Sequence, residues 1–145
     1  MKIGYTTGVF DLFHIGHLNL LRNAKARCDH LIVGVTTDHL CQYKNKNPVI
    51  PFDERIAIIS SIKEVDSVIP QSDMEKAKKI KELMQSYRNA KFIVFVGDDW
   101  KNTDKWEKHE SELKEINVEV VYLPYTKGTS STLINQILEK QRGIE

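Results

Sequence analysis

A chain of 145 residues suffices for one domain whose buried core needs neither disulfides nor a structural metal. With 28% charged and 41% hydrophobic residues it groups with soluble globular chains, and 21 basic against 20 acidic side chains mark it as neither a nucleic-acid nor a membrane binder as a whole. No apolar run approaches a membrane span, no signal peptide is present, and Cys28 and Cys41 fit no metal or redox spacing, so the cytoplasm is the expected location.

Five short apolar runs rich in Val and Ile read as strands: Ile3 to Thr6, Leu31 to Val35, Ser67 to Ile69, Phe92 to Val96 and Val118 to Leu123. Helical patterns follow them. His17 to Arg27 sets Leu18, Leu21, Ala24 and Cys28 on one face, and Phe52 to Ile62 repeats the spacing with Ile56, Ile59 and Ile62 behind Pro51. Asp73 to Tyr87 comes next, with Asp73 as the expected N-cap, and Asp104 to Glu115 opens on a capping-box-like Asp104 and Glu107 pair. The last helix, Ser131 to Gln141, is expected to turn Leu133, Ile134, Ile137 and Leu138 inward. Cys28 falls on an apolar helical position and Cys41 in a polar loop, neither with a chemical role. The alternation predicts a single α/β domain over 1–145, with a core of about 2–138: a doubly wound, Rossmann-like parallel sheet of about five strands with helices on both faces.

Four segments fall where strands end. In Gly8-Val9-Phe10-Asp11-Leu12-Phe13-His14-Ile15-Gly16-His17, strand one gives way to a helix whose opening N–H groups can meet a phosphate. Each histidine can donate an N–H to a phosphate oxygen, and Gly16 leaves room for close backbone approach. Asp38, Lys44 and Lys46 sit in the loop after strand two, Gly97-Asp98-Asp99-Trp100 follows strand four, and Tyr125 to Thr132 leads into the last helix. On residue types alone, the lysines can be solvated surface, the aspartates turn formers, and the hydroxyls an ordinary N-cap.

The segment from Gly8 to His17 resembles the HxGH signature of the nucleotidyltransferase superfamily, and its fuller GxFDLxHxGH pattern is similar to the cytidylyltransferase branch. The Gly97 to Trp100 loop resembles glycerol-3-phosphate cytidylyltransferases in particular. The resemblance implies transfer of CMP from CTP to a small phosphorylated alcohol, glycerol 3-phosphate first, with release of pyrophosphate. Phosphocholine, phosphoethanolamine, another polyol phosphate, an adenylyl transfer from ATP, or a module that senses CTP without chemistry are the alternatives.

By the same resemblance His14, His17, Lys44 and Lys46 are catalytic. Gly8, Val9, Phe10, Gly16, Asp99, Thr126, Gly128, Ser130, Ser131 and Thr132 hold the nucleotide, while Asp11, Lys44, Arg55, Tyr125 and Lys127 serve the acceptor. Mg²⁺ is expected to arrive with CTP, no protein metal site is expected, and the assembly is expected to be a homodimer. The final segment departs from the family's RTEGISTT pattern: Tyr125 replaces an arginine, Lys127 a glutamate and Thr129 an isoleucine. Tyrosine cannot act as a bidentate cation, so charge comes from elsewhere, with Lys127 as a substitute, or the acceptor differs.

Overall fold

The computed structural model describes residues 1–124, 126 and 131–144. Its strands are β1 (Lys2–Gly8), β2 (His30–Thr36), β3 (Ser67–Gln71), β4 (Lys91–Gly97) and β5 (Glu119–Leu123). The helices are α1 (Ile15–Lys25), α2 (Asp38–Tyr43), α3 (Phe52–Ser60), α4 (Lys76–Ser86), α5 (Asp104–Glu115) and α6 (Ser131–Ile144), with a 3₁₀ turn at Asp98–Trp100. One five-stranded sheet runs in the order β3-β2-β1-β4-β5, every pairing parallel. The chain winds outward from β1 in one direction and resumes at β4 in the other, so the switch point falls between β1 and β4.

The continuous apolarity of the strands is explained by a core on each face. On β2, Leu31, Val33 and Val35 join Leu21 and Ala24 of α1 and Ile59 of α3, whereas Ile32 turns to the opposite core with Ile80 of α4 and Trp106 and Leu113 of α5. Alternate residues of one strand thus feed different cores.

Several local expectations are corrected. The segment after β2 folds into α2, capped by Thr37, whose side chain accepts from Leu40 N–H. Cys41 therefore lies buried on a helix rather than in a polar loop. Helix α1 begins two residues earlier than its apolar pattern and ends at Lys25, leaving Cys28 beyond it, its thiol donating to Ala24 O at 3.4 Å. Pro51 occupies the N-cap position of α3, without a side-chain cap bond, rather than its first turn. Asp73 does not cap α4; Glu75 holds that position, and Asp73 Oδ1 accepts from Glu75 N–H at 2.9 Å. Thr103 caps α5 through Trp106 N–H, leaving Asp104 and Glu107 as first-turn charges. On α6, Leu133 and Ile137 are 40% and 48% exposed, contrary to the inward face expected of them. Among the described residues no helix is long and apolar enough to cross a membrane.

Candidate active site

A cavity of about 760 Å³ opens over the carboxyl ends of β1 and β4, at the switch point. The loop from Val9 to His14 forms one wall. It turns sharply, with Phe10 and Leu12 at φ 55° and 51°, a left-handed conformation that such side chains rarely adopt. Phe10 is nevertheless buried, its ring centroid 5.5 Å from that of His17 in an edge-on arrangement, while Phe13 stacks on the same imidazole with centroids 5.3 Å apart.

His14 is the N-cap of α1. Its Nδ1 accepts from Gly16 N–H at 3.0 Å, and His17 Nδ1 accepts in return from His14 N–H at 3.2 Å. A neutral imidazole carries one proton, so both rings hold it on Nε2, as donors. Burial lowers the pKa of each. His17 falls to about 4, with His14 adding and Asp11 opposing. Gly16 serves His14 first: a Cβ at this position would stand 2.7 Å from His14 Cε1 and 3.0 Å from Nδ1.

Lys44 and Lys46 approach from the segment after α2, and both line the cavity. Their segment is held at its base. Asp11 Oδ2 and Oδ1 accept from Val49 and Ile50 N–H at 2.8 and 2.9 Å, and Asp38 Oδ2 accepts from Phe52 N–H at 3.1 Å. Arg55, expected to bind the acceptor, is fully buried and is not among the residues lining the cavity. It donates to Ile50 O, Val9 O and Thr36 O and pairs with Asp38 Oδ1 at 2.6 Å, tying together four segments around the site. The Phe52 N–H and the guanidinium together hold the Asp38 carboxyl below the usual carboxylate range. Arg55 is thus a brace, and Asp11 lines the cavity while anchoring its lysine segment.

Two lysines overlooked in the sequence complete the cation set. Lys76 opens α4 and is only 5% exposed; its Nζ donates to Thr7 Oγ1 at 2.7 Å and stands 5.2 Å from the centroid of the Trp106 ring. Burial, with Lys44 and Lys105 adding, brings it down to about 7. Lys105 reaches the cavity from α5. Both sit in lysine-rich helical segments that read as solvated faces, and only the tertiary packing separates these two from their neighbours. Only Lys105 has a sequence signal, lying five residues beyond Trp100; Lys76 is far from every motif segment.

The remaining expected residues divide. Gly8, Val9, Phe10, Gly16, Asp99, Thr126 and Thr132 all line the cavity. Burial lifts the Asp99 carboxyl above its ordinary range. Its Oδ1 fills the space that a Cβ on Gly97 would enter, at 2.5 Å. Thr126 Oγ1 accepts from Asn19 Nδ2 at 3.2 Å, binding the final segment to α1. Ser131 begins α6. Tyr125, Lys127, Gly128, Thr129 and Ser130 lie outside the described residues.

Chemically, the arrangement offers N–H donors and ammonium groups to a polyanion: two imidazole Nε2–H groups on one wall and four lysines on the others. Among the described residues, no group of three or more His, Cys, Asp or Glu is arranged to hold a metal ion.

Residues 5–137 match the family model described as cytidylyltransferase-like. Glycerol-3-phosphate cytidylyltransferase of Bacillus subtilis is 37% identical over 137 residues, covering 94% of this chain and 96% of that protein. An FAD synthase of Archaeoglobus fulgidus is 33% identical over 141 residues, covering 94% and 98%. Among solved structures, a lipopolysaccharide core biosynthesis protein from Thermoplasma volcanium superposes with a TM-score of 0.70 at 28% identity, over 89% of this chain and 99% of that one. The HxGH-bearing loop, its parallel sheet and these matches across nearly the whole chain place the protein in the cytidylyltransferase-like family.

Proposed function

We propose that the protein transfers CMP from CTP to a small phosphorylated alcohol, glycerol 3-phosphate first among them, and releases pyrophosphate. The observation that carries this reading is the reciprocal anchoring of His14 and His17 through Nδ1, which leaves two preset Nε2–H donors in a cavity also lined by Lys44, Lys46, Lys76 and Lys105. An acceptor phosphate oxygen attacks the α-phosphorus of CTP in line with the departing pyrophosphate, so a new P–O bond forms as the α–β bridge breaks. No covalent enzyme intermediate is required. The protein positions two mutually repelling anions and stabilises charge on the pentacoordinate centre and the leaving group.

Under this reading His14 and His17 donate to the α-phosphate oxygens, and because His17 stays neutral down to about pH 4 it acts as a donor rather than a proton source. Lys44 and Lys46 meet phosphate oxygens across the cavity, and Lys76 waits at the inner end for the acceptor's phosphate. Mg²⁺ then enters on the phosphate oxygens of CTP as part of the substrate. The same reading makes the protein a cytoplasmic homodimer, for which the apolar surface at Leu133 and Ile137 offers cover; sedimentation of the purified protein decides the dimer.

The test is pyrophosphate release from CTP and from ATP, each with glycerol 3-phosphate, phosphocholine and phosphoethanolamine. CTP with glycerol 3-phosphate is expected to be the fastest pair. Faster release from ATP overturns the nucleotide assignment, and CTP binding without release under any pairing overturns the enzyme.

A further inference from the structure

Lys105 stands where a lysine is poorly supported by its own fold. It is the second residue of α5, where unpaired backbone N–H groups already carry positive partial charge, and Asp104 and Glu107 only partly offset this. Its ammonium lies 5.6 Å from the centroid of the Trp100 ring, at the cavity's edge. Burial first, then Lys46, lowers its pKa; Lys105 in turn adds to the lowering at Lys44 and Lys76. Four ammonium groups thus converge from the segment after α2, from α4 and from α5. Among the described residues none of the four is ion-paired to a carboxylate. Like charges gathered without counter-ions strain the empty fold, and a bound polyanion relieves that strain.

The four do not occupy one wall. Lys76 and Lys105 come from the helices covering the opposite sheet face to α1, with the indole of Trp106 beside Lys76. A phosphate dianion held on this side would meet Lys76 from within and Lys105 from without, while the imidazoles and loop lysines remain for the nucleotide. We propose that Lys105 is a specificity-determining residue of the acceptor site, supplying the outer cation that grips the phosphate of the phosphorylated alcohol. This rests on the transferase reading above.

The experiment compares wild type, Lys105→Gln and Lys105→Arg, reading KM for CTP and for glycerol 3-phosphate separately, together with Tm in the absence of ligand and with inorganic phosphate. Glutamine is expected to raise the acceptor KM about tenfold, the scale of one lost charge-assisted hydrogen bond, with a much smaller change for CTP. Arginine is expected to restore most of the difference. The ligand-free Tm should equal or exceed that of wild type, because one repelling charge is gone. Unchanged KM values, a parallel rise in both, or a rise for CTP alone overturn the inference while leaving the transferase reading intact. If wild type releases no pyrophosphate with any phosphorylated alcohol, that reading fails, and the inorganic-phosphate Tm shift decides: a smaller upward shift in Lys105→Gln upholds the anion role of Lys105, and an equal shift overturns it.

Discussion

Arg55→Ala separates a brace from a substrate ligand. The guanidinium is completely buried, and truncation strands the carbonyls of Val9, Thr36 and Ile50 and unpairs Asp38. Removing one partner of a buried ion pair costs about 3–5 kcal/mol, and each stranded carbonyl costs about 1 kcal/mol or more before relaxation. The Asp38 side chain is 45% exposed, so water replaces much of its lost bond and the total settles near 4 kcal/mol. For a domain of this size each kcal/mol moves Tm by about 3 °C, so a fall of about 12 °C is expected by thermal circular dichroism. Arg55→Lys should recover only part of this, because one ammonium cannot span four acceptors. Turnover should fall as well, since the backbone of Ile50 closes the segment that carries Lys44 and Lys46. An alanine variant that melts within about 3 °C of wild type, yet shows a raised acceptor KM, would refute the brace and return Arg55 to the acceptor.

His14→Ala and His17→Ala should each lower kcat by about a hundredfold or more, the usual loss for one preorganised donor, with circular dichroism unchanged. On the proposed reading the neutral His17 ring is the working form, so its titration in the free enzyme should reduce kcat/KM only as pH falls toward about 4, and a loss centred near 6.5 would contradict the burial that lowers it. Lys76→Met should raise ligand-free stability and cut acceptor use at least about tenfold, because it removes a buried charge together with its phosphate contact. In wild type the lowered Lys76 pKa makes the unfolded chain bind more protons between pH about 7 and the ordinary lysine value, so this residue's stability penalty eases as pH rises through that window. Acceptor affinity should weaken over the same rise, and an acceptor KM that is flat across it would count against Lys76. Gly16→Ala should leave Tm nearly unchanged, helix propensity offsetting a disturbed cap, while kcat drops about a hundredfold as the new methyl displaces the His14 ring; wild-type kcat would show that the ring tolerates the shift.

The sheet was legible because its signal is local. Runs such as Leu31 to Val35 are apolar throughout only when both faces are covered, as they are in the central strands, whereas the edge strands β3 and β5 are mostly half-buried. Helix ends were less so: Thr103 and Glu75 took the caps expected of Asp104 and Asp73, since neighbouring polar residues compete within one turn. The HxGH loop was legible through its fuller GxFDLxHxGH pattern and its strand-to-helix location, since either histidine alone reads as an ordinary turn or helix-start residue. Arg55 and Lys76 were misread or missed for one shared reason. A basic residue in a helical pattern reads as surface or ligand contact, and whether it turns toward the interior depends on segments distant in sequence, such as Val9 and Thr36 for Arg55 or Thr7 for Lys76. α2 was missed because its six residues are too few for a periodic pattern.

The division of charge around the cavity follows from these placements. The carboxylates nearest the lysine segment, Asp11 and Asp38, direct oxygens at backbone N–H groups of residues 49, 50 and 52, and Asp38 is further engaged by Arg55. They stiffen the backbone that presents Lys44 and Lys46, and they do so without ion-pairing to either lysine. Had a carboxylate paired with a site lysine, the empty protein would be more stable, but each incoming phosphate would first have to displace that partner. The arrangement instead leaves Lys76, lowered to about 7 by burial, Lys44 and Lys105, to gain its counter-charge from a substrate phosphate on the proposed reading. On the proposed reading, the same groups that meet substrate phosphate would also face the developing charge of the reaction, which is where differential stabilisation of a phosphoryl-transfer transition state must arise.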